Sequence, residues 1–288
     1  MIVGTLAIVG TGLIGGSFAL ALKQAGAVGE VLGTGRSPAK LTLARELGLI
    51  DRAADWRQAG QADCILLALP VGETGSALRQ LAPHLKPGAI VTDAGSTKAG
   101  VVDAARAALG VRFADFVPGH PIAGSELSGP GAARADLYRG KRVVLTPQAD
   151  TRADALATVR LLWETTGALV ETLDAVQHDR IFAAVSHLPH LAAFALVDAL
   201  AQRADAETFF RFAAGGFRDF TRIAGSSPEM WRDIALTNHE ALLGELDAYL
   251  ATLQTLRLAV SEKDGDALLN LFSRARAARE NWIETQDS

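Results

Sequence analysis

His120 sits between Gly119 and Pro121 in "VPGHPIAGSE", and neighbours of that kind hold an imidazole in place. Histidine takes and returns a proton near neutral pH, so His120 is a candidate general base. Ser96 and Lys98 fall in "TDAGSTK", where a strand gives way to a helix, and Ser96 or Thr97 serves equally well as a helix N-cap. "SHLPHLAAF" spaces His187 and His190 three apart, which suits a metal, but no cysteine or carboxylate set nearby completes a site. A hydrogen-bonding role towards a substrate for one of them, with the other structural, fits better. "GFRDFTRIAGSSPEMW" carries Arg218 and Arg222 among aromatics. An arginine facing a cleft there would anchor a carboxylate by a bidentate pair; one at the surface would lay its stem on Phe217 or Phe220. His84, His178 and His239 have no such setting and read as surface or packing residues.

Such groups need a frame. Apolar runs at 5–10, 30–34, 64–70, 89–95, 115–119, 142–147 and 168–173 read as strands, with little polar alternation, as parallel strands covered on both faces do. Amphipathic segments such as 38–48 and 97–109 lie between them, which gives a right-handed βαβ array. From Asp174 onward only helical patterns remain, over 174–200, 205–223, 228–262 and 264–282. The expected fold is therefore α/β: a Rossmann-type doubly wound sheet, mainly parallel, over residues 1–173, then an all-helical domain over 174–288. Helices this apolar need a partner surface, and dimerisation supplies one. Ligands of such a sheet sit at the carboxyl ends of its strands, where His120, Ser96 and Lys98 fall.

"VGTGLIGGSFALAL" supplies Gly10, Gly12 and Gly15 in the order Gly-x-Gly-x-x-Gly, after a strand and opening a helix. The first glycine permits a tight turn, the second lets a pyrophosphate approach the backbone, and the third lets helix and strand pack closely. About 20 residues on, an acid normally holds the ribose hydroxyls of NAD. Here that position is Gly35, followed by Arg36 and Ser37. Arg36 can pair with a 2′-phosphate and Ser37 can hydrogen-bond it, so the site reads as built for NADP, with NAD possible.

The 288 residues carry 28 basic and 32 acidic side chains, a net charge of −4 with no basic half, which argues against nucleic acid and anionic membranes as partners. The lone Cys64, inside "DCILLALPV", excludes an intrachain disulfide and reads as a buried, inert thiol. No positive charge precedes the apolar start, so a secretory signal is not expected and the protein reads as cytoplasmic. The apolar stretch 181–201 contains His187, Pro189, His190 and Asp198 and reads as a buried helix rather than a membrane span.

The stretches "GTGLIGGS", "LALPV", "TDAGSTK", "PGHPIAGSE", "SHLPH" and "FRDFTRIAGSSPEMWRD" together resemble the prephenate/arogenate dehydrogenase family of tyrosine biosynthesis, over nearly the whole chain and in the family's order. The resemblance implies a homodimer with a helical dimerisation domain, no fused mutase segment and no further regulatory domain. It implies that His120 takes the proton from the hydroxyl of prephenate or L-arogenate, with Ser96 orienting that hydroxyl and His120. Arg222 would hold a substrate carboxylate and His190 would contribute to the pocket. Glu126 and Asp219 match acidic positions lining or gating it, and Trp231 an aromatic at its wall. Leu13, Ile14 and Pro70 join the glycines on the cofactor side, and no metal is implied. The chemistry is self-consistent: deprotonation as hydride leaves for the nicotinamide yields a dienone-like electron sink, and loss of CO₂ restores aromaticity. Gly35-Arg36 departs from the acid kept by NAD-using relatives.

Two other readings share parts of this pattern. A β-hydroxyacid dehydrogenase has the same plan but uses a lysine on the first interdomain helix, and no lysine occurs between Lys141 and Lys263. A non-catalytic NADP-sensing protein would leave His120, Ser96 and Arg222 in motif without a reason.

Overall fold

The computed structural model describes residues 1–124 and 127–285. Strand β1 (Val3–Val9) sends Leu6 and Ile8 into one apolar core and Ala7 and Val9 into another. Both faces are covered, which is why its sequence shows no polar alternation. It lies at the centre of a parallel sheet of β2 (Val28–Thr34), β3 (Arg52–Ala53), β4 (Cys64–Leu67), β5 (Ile90–Asp93) and β6 (Phe116–Val117), in the order β3-β2-β1-β4-β5-β6. The two-residue edge strand β3 is exposed and leaves no hydrophobic pattern to read. Strand order reverses around β1, so the ligand crevice opens at the carboxyl ends of β1 and β4. Cys64 is wholly buried beneath it, and burial pushes its thiol up to about 12, which makes it inert at neutral pH.

The run 115–119, expected as one strand, is divided. Pro118 has no amide hydrogen with which to continue the ladder. The chain leaves the first sheet there and enters a second, formed by β7 (Gly119–Pro121), β8 (Arg142–Leu145) and β9 (Leu169–Thr172). β7 runs antiparallel to β8, with His120 opposite Val144, while β8 and β9 are parallel. His120 is therefore the middle residue of a short strand and not a loop residue.

Helix α1 (Leu13–Gln24) and α6 (Ala153–Thr165) cover one core, where Trp163 packs 4.3 Å from Phe18 and 5.1 Å from Tyr138, centroid to centroid. Helix α2 (Pro38–Glu46) follows β2, and the single turn α3 (Trp56–Ala59) follows β3. The other core takes Leu78 and Leu81 from α4 (Thr74–Leu81) and Val101 and Ala105 from α5 (Ala99–Leu109).

Residues 175–201 form one continuous helix with a fault in it. α7 (Ala175–Phe182) passes through a π-helical turn at Ala183–His187 into α8 (Leu188–Ala201). Pro189 cannot donate to the ladder and crowds the carbonyl four residues back, which accounts for the widened turn. This helix was expected to be buried, yet only 22% of its most apolar window is covered within the single chain. By length and composition alone it could cross a membrane.

After α9 (Ala206–Phe212) and α10 (Gly215–Thr221), the expected helix 228–262 is two: α11 (Pro228–Thr237) and α12 (His239–Glu262), interrupted at Asn238, whose side-chain amide donates to the Asp179 carbonyl. The last helix is α13 (Gly265–Glu284). Contacts divide the chain into Met1–His239 and Glu240–Ser288. The first unit runs past the expected boundary at 173/174 because α11 sends Trp231 and Ile234 into the core beneath the sheet. In the second unit, Lys263 turns the chain with φ 56° and Asp264 caps α13 by accepting from Ala267 N, while Leu250, Leu258, Phe272 and Trp282 stay exposed.

Candidate active site

The turn from β1 into α1 is shaped by its glycines. Gly10 adopts φ +97°, and a Cβ there would lie 2.3 Å from the Ala68 carbonyl oxygen. A Cβ on Gly15 would lie 2.3 Å from the Gly10 oxygen and 2.6 Å from Ile8 Cγ2. Gly12 is different, with nothing within 4 Å of its Cβ position. It precedes α1 with no side-chain cap, so no side chain takes up the first-turn amides of the helix. An open glycine beside uncapped amides and a positive helix end is the fit a pyrophosphate requires.

Arg36 follows β2, largely exposed, and its Nη2 lies 2.7 Å from Glu73 Oε1. Ser37 caps α2, its Oγ accepting from Lys40 N at 3.3 Å. Pro70 is exposed and leads into the turn Val71–Glu73 after β4.

At the neighbouring strand ends, Lys98 is wholly buried and its Nζ donates to Asp93 and to the Gly119 carbonyl at 2.7 Å. Asp93 in turn accepts from Gly95 N at 2.8 Å and Gly119 N at 3.0 Å. The pair thus clamps both backbone groups of the residue that precedes His120. His120 is 9% exposed, and its Nδ1 lies 2.8 Å from Nε2 of His178. His178 Nδ1 lies 2.8 Å from Asp179 Oδ1. Asp179 also accepts from Lys98 N at 2.7 Å and Ala99 N at 2.8 Å, at the start of α5. A carboxylate already receiving two amide hydrogen bonds accepts a third from His178 Nδ1–H. His178 Nε2 then accepts from His120 Nδ1, which leaves the His120 Nε2 lone pair as the basic one. Burial, followed by the nearby His178, Lys98 and His187, holds His120 well below the usual imidazole range.

Ser96 is half-buried on the loop between β5 and α5, and among the described residues no hydrogen bond joins it to His120. His187 is buried, receives Asn238 Nδ2 on its Nδ1 at 3.1 Å, and is pushed down to about 4, chiefly by burial. His190 stacks on Trp231 with centroids 3.7 Å apart and planes at 22°, and donates Nδ1–H to the Ser186 carbonyl at 2.9 Å. Burial, with the charge of Arg222 nearby, lowers it as well. His190, Trp231 and Arg222 are thus brought together. Asp219 is exposed on α10, as is Arg218, and Glu126 lies outside the described residues. Among the described residues no cluster of three or more His, Cys, Asp or Glu is placed to hold a metal.

His178 is the residue that sequence reasoning missed: read as surface or packing, it is buried against His120. Asp179 and Asp93 were missed with it. Only the adjacency of His178 and Asp179 at a helix start offered a signal, and nothing in it pointed across 58 residues to His120.

A dinucleotide cradle at the end of β1 and a buried, neutral histidine on β7, where the chain passes from the first sheet into the second, define a nicotinamide-dependent oxidoreductase. Residues 18–172 match the family model described as prephenate dehydrogenase, nucleotide-binding domain, and residues 174–274 that of the prephenate dehydrogenase dimerization domain. The chain belongs to the prephenate dehydrogenase family. It is 38% identical to the cyclohexadienyl dehydrogenase of Zymomonas mobilis over 278 residues, 95% of this chain and 94% of that one. The crystal structure of prephenate dehydrogenase from A. aeolicus in complex with hydroxyphenyl propionate and NAD+ superposes with a TM-score of 0.91 at 36% identity, covering 96% of this chain and 98% of that chain. Synechocystis arogenate dehydrogenase superposes with a TM-score of 0.80 at 32% identity, covering 96% and 99%.

Proposed function

We propose that the chain catalyses oxidative decarboxylation of a cyclohexadienyl substrate, prephenate to 4-hydroxyphenylpyruvate or L-arogenate to L-tyrosine, in tyrosine biosynthesis. The observation that carries this reading is the buried His120–His178–Asp179 chain in a fold that also holds the Gly10–Gly15 turn. His120 Nε2 takes the proton of the ring hydroxyl, and the positive charge that develops is shared with His178 and Asp179. Bound NAD(P) supplies the hydride acceptor. Gly10, Gly12, Leu13, Ile14, Gly15 and Pro70 hold it, with Arg36 and Ser37 favouring a 2′-phosphate and hence NADP.

On the substrate side, Arg222 pairs with a carboxylate, His190 offers Nε2 as an acceptor, Trp231 walls the pocket and Ser96 orients the reacting hydroxyl. Glu126 and Asp219 line or gate the entrance. Once the hydroxyl-bearing carbon is oxidised, the dienone accepts the electrons of the departing carboxylate and aromaticity drives CO₂ loss, so no metal is required. The functional division falls at 173/174, with the nucleotide site and the catalytic His120 and Ser96 before it and the helical substrate contacts and partner-subunit surface after it. The exposed apolar faces of α8, α12 and α13 pack against a second copy in the cytoplasm.

The test is a set of initial rates with prephenate and with L-arogenate, each with NAD and with NADP. Turnover faster with NADP supports the reading of Arg36. No turnover in any combination removes the proposed reaction.

A further inference from the structure

In a sheet ordered β2-β1-β4, an ion pair joining the loop after β2 to the turn after β4 must pass over the carboxyl end of β1. That end is Gly10–Gly12, the nucleotide turn. Arg36 and Glu73 make such a pair at 2.7 Å. The Arg36 side chain is 84% exposed and that of Glu73 33%, so the carboxylate is the better-held partner and the guanidinium the one it holds. Glu73 sits at the end of the turn Val71–Glu73, against which α11 packs, so its backbone is braced.

We propose that Glu73 is a determinant of cofactor choice that opposes Arg36: its carboxylate occupies the guanidinium that a 2′-phosphate would take, and so weakens NADP binding relative to NAD. This rests on the reading of Arg36 as the 2′-phosphate partner. A phosphate entering here must displace a carboxylate and then lie near it, whereas a 2′-hydroxyl does neither. The pair is exposed and screened, so displacement is cheap and the effect is a several-fold bias. The site is thereby tuned towards using both cofactors.

The experiment measures dissociation constants of NADPH, NADH and 2′,5′-ADP by fluorescence and calorimetric titration of the full chain carrying E73Q, R36A or both. E73Q is expected to tighten NADPH and 2′,5′-ADP about 2- to 10-fold and leave NADH unchanged. That gain should shrink in the R36A background. If R36A weakens NADPH but E73Q leaves it unchanged, or tightens NADH equally, the role of Glu73 is overturned and Arg36 keeps its own. If R36A leaves NADPH and NADH in their original ratio, the NADP reading falls and takes Glu73 with it.

Discussion

Nε2 of His178 lies 2.8 Å from Nδ1 of His120, and this contact decides which nitrogen of His120 is free to act as a base. Replacing His178 by Gln removes the tautomer control while leaving the base in place. We expect kcat to fall by at least about 10-fold, with the 10²–10⁴ of losing a general base as the ceiling, and KM to stay within a factor of about two. His120→Asn should reach that ceiling. Steady-state kinetics on both variants check the order, and a His178→Gln enzyme with unchanged kcat would reduce His178 to packing.

The pH profile follows from the same burial. A base works in its neutral form, and His120 is held well below the ordinary imidazole range. Activity should therefore stay level on acidification through pH 6.5 and fall only at lower pH. An acid limb in kcat/KM centred at 6.5 or above would contradict the assignment.

Stability responds to acid in a related window. His187 has a folded value of about 4 against an ordinary 6.5, so the unfolded chain binds more protons between those limits. Stability from this residue is complete above pH 6.5 and is lost as pH falls towards 4, by about 3 kcal/mol in all. Denaturant titrations at stepped pH should show that slope, and His187→Gln should flatten it.

The Asp93–Lys98 pair makes a different prediction, because it is buried at both ends. Asp93→Ala strands a buried ammonium and the Gly119 amide, and should cost about 3–5 kcal/mol of stability. Asp93→Leu combined with Lys98→Met removes both charges and should regain much of that. Its kcat should remain low, since the clamp on Gly119 is gone. Chemical denaturation followed by kinetics separates the two effects.

Arg222→Ala should raise KM for the carboxylate substrate 10-fold or more at nearly constant kcat, if the contact is equally strong in the ground and transition states. A fall in kcat at constant KM would move Arg222 into the chemical step.

The parallel sheet and its glycine turn were legible because each depends on neighbours in sequence. An apolar run and a Gly-x-Gly-x-x-Gly spacing carry their own physical reasons. β3 was not, since two exposed residues on an edge have no pattern to show. His120 could be picked out by its rigid neighbours, but its placement in β7 depended on reading Pro118 as the end of one ladder rather than part of a strand. His178 and Asp179 were out of reach for a deeper reason. Their roles come from α7 being laid against α5, with Asp179 capping the backbone of Lys98 and Ala99 across 81 and 80 residues. No local window contains that relation. Asn238 likewise looks like an ordinary helix residue until its side chain is seen reaching Asp179 and His187.

The π-helical turn at Ala183–His187 has a consequence for how this chain tolerates change. One residue advances a helix by about 100°. The widened turn acts as a crank in a single rod, letting the half before it aim His178 at His120 on β7 and the half after it aim His190 at Trp231. Removing one residue from the turn would leave the rod straight, yet swing one histidine out of line with the other. Insertions and deletions here are therefore far more damaging than substitutions of similar size.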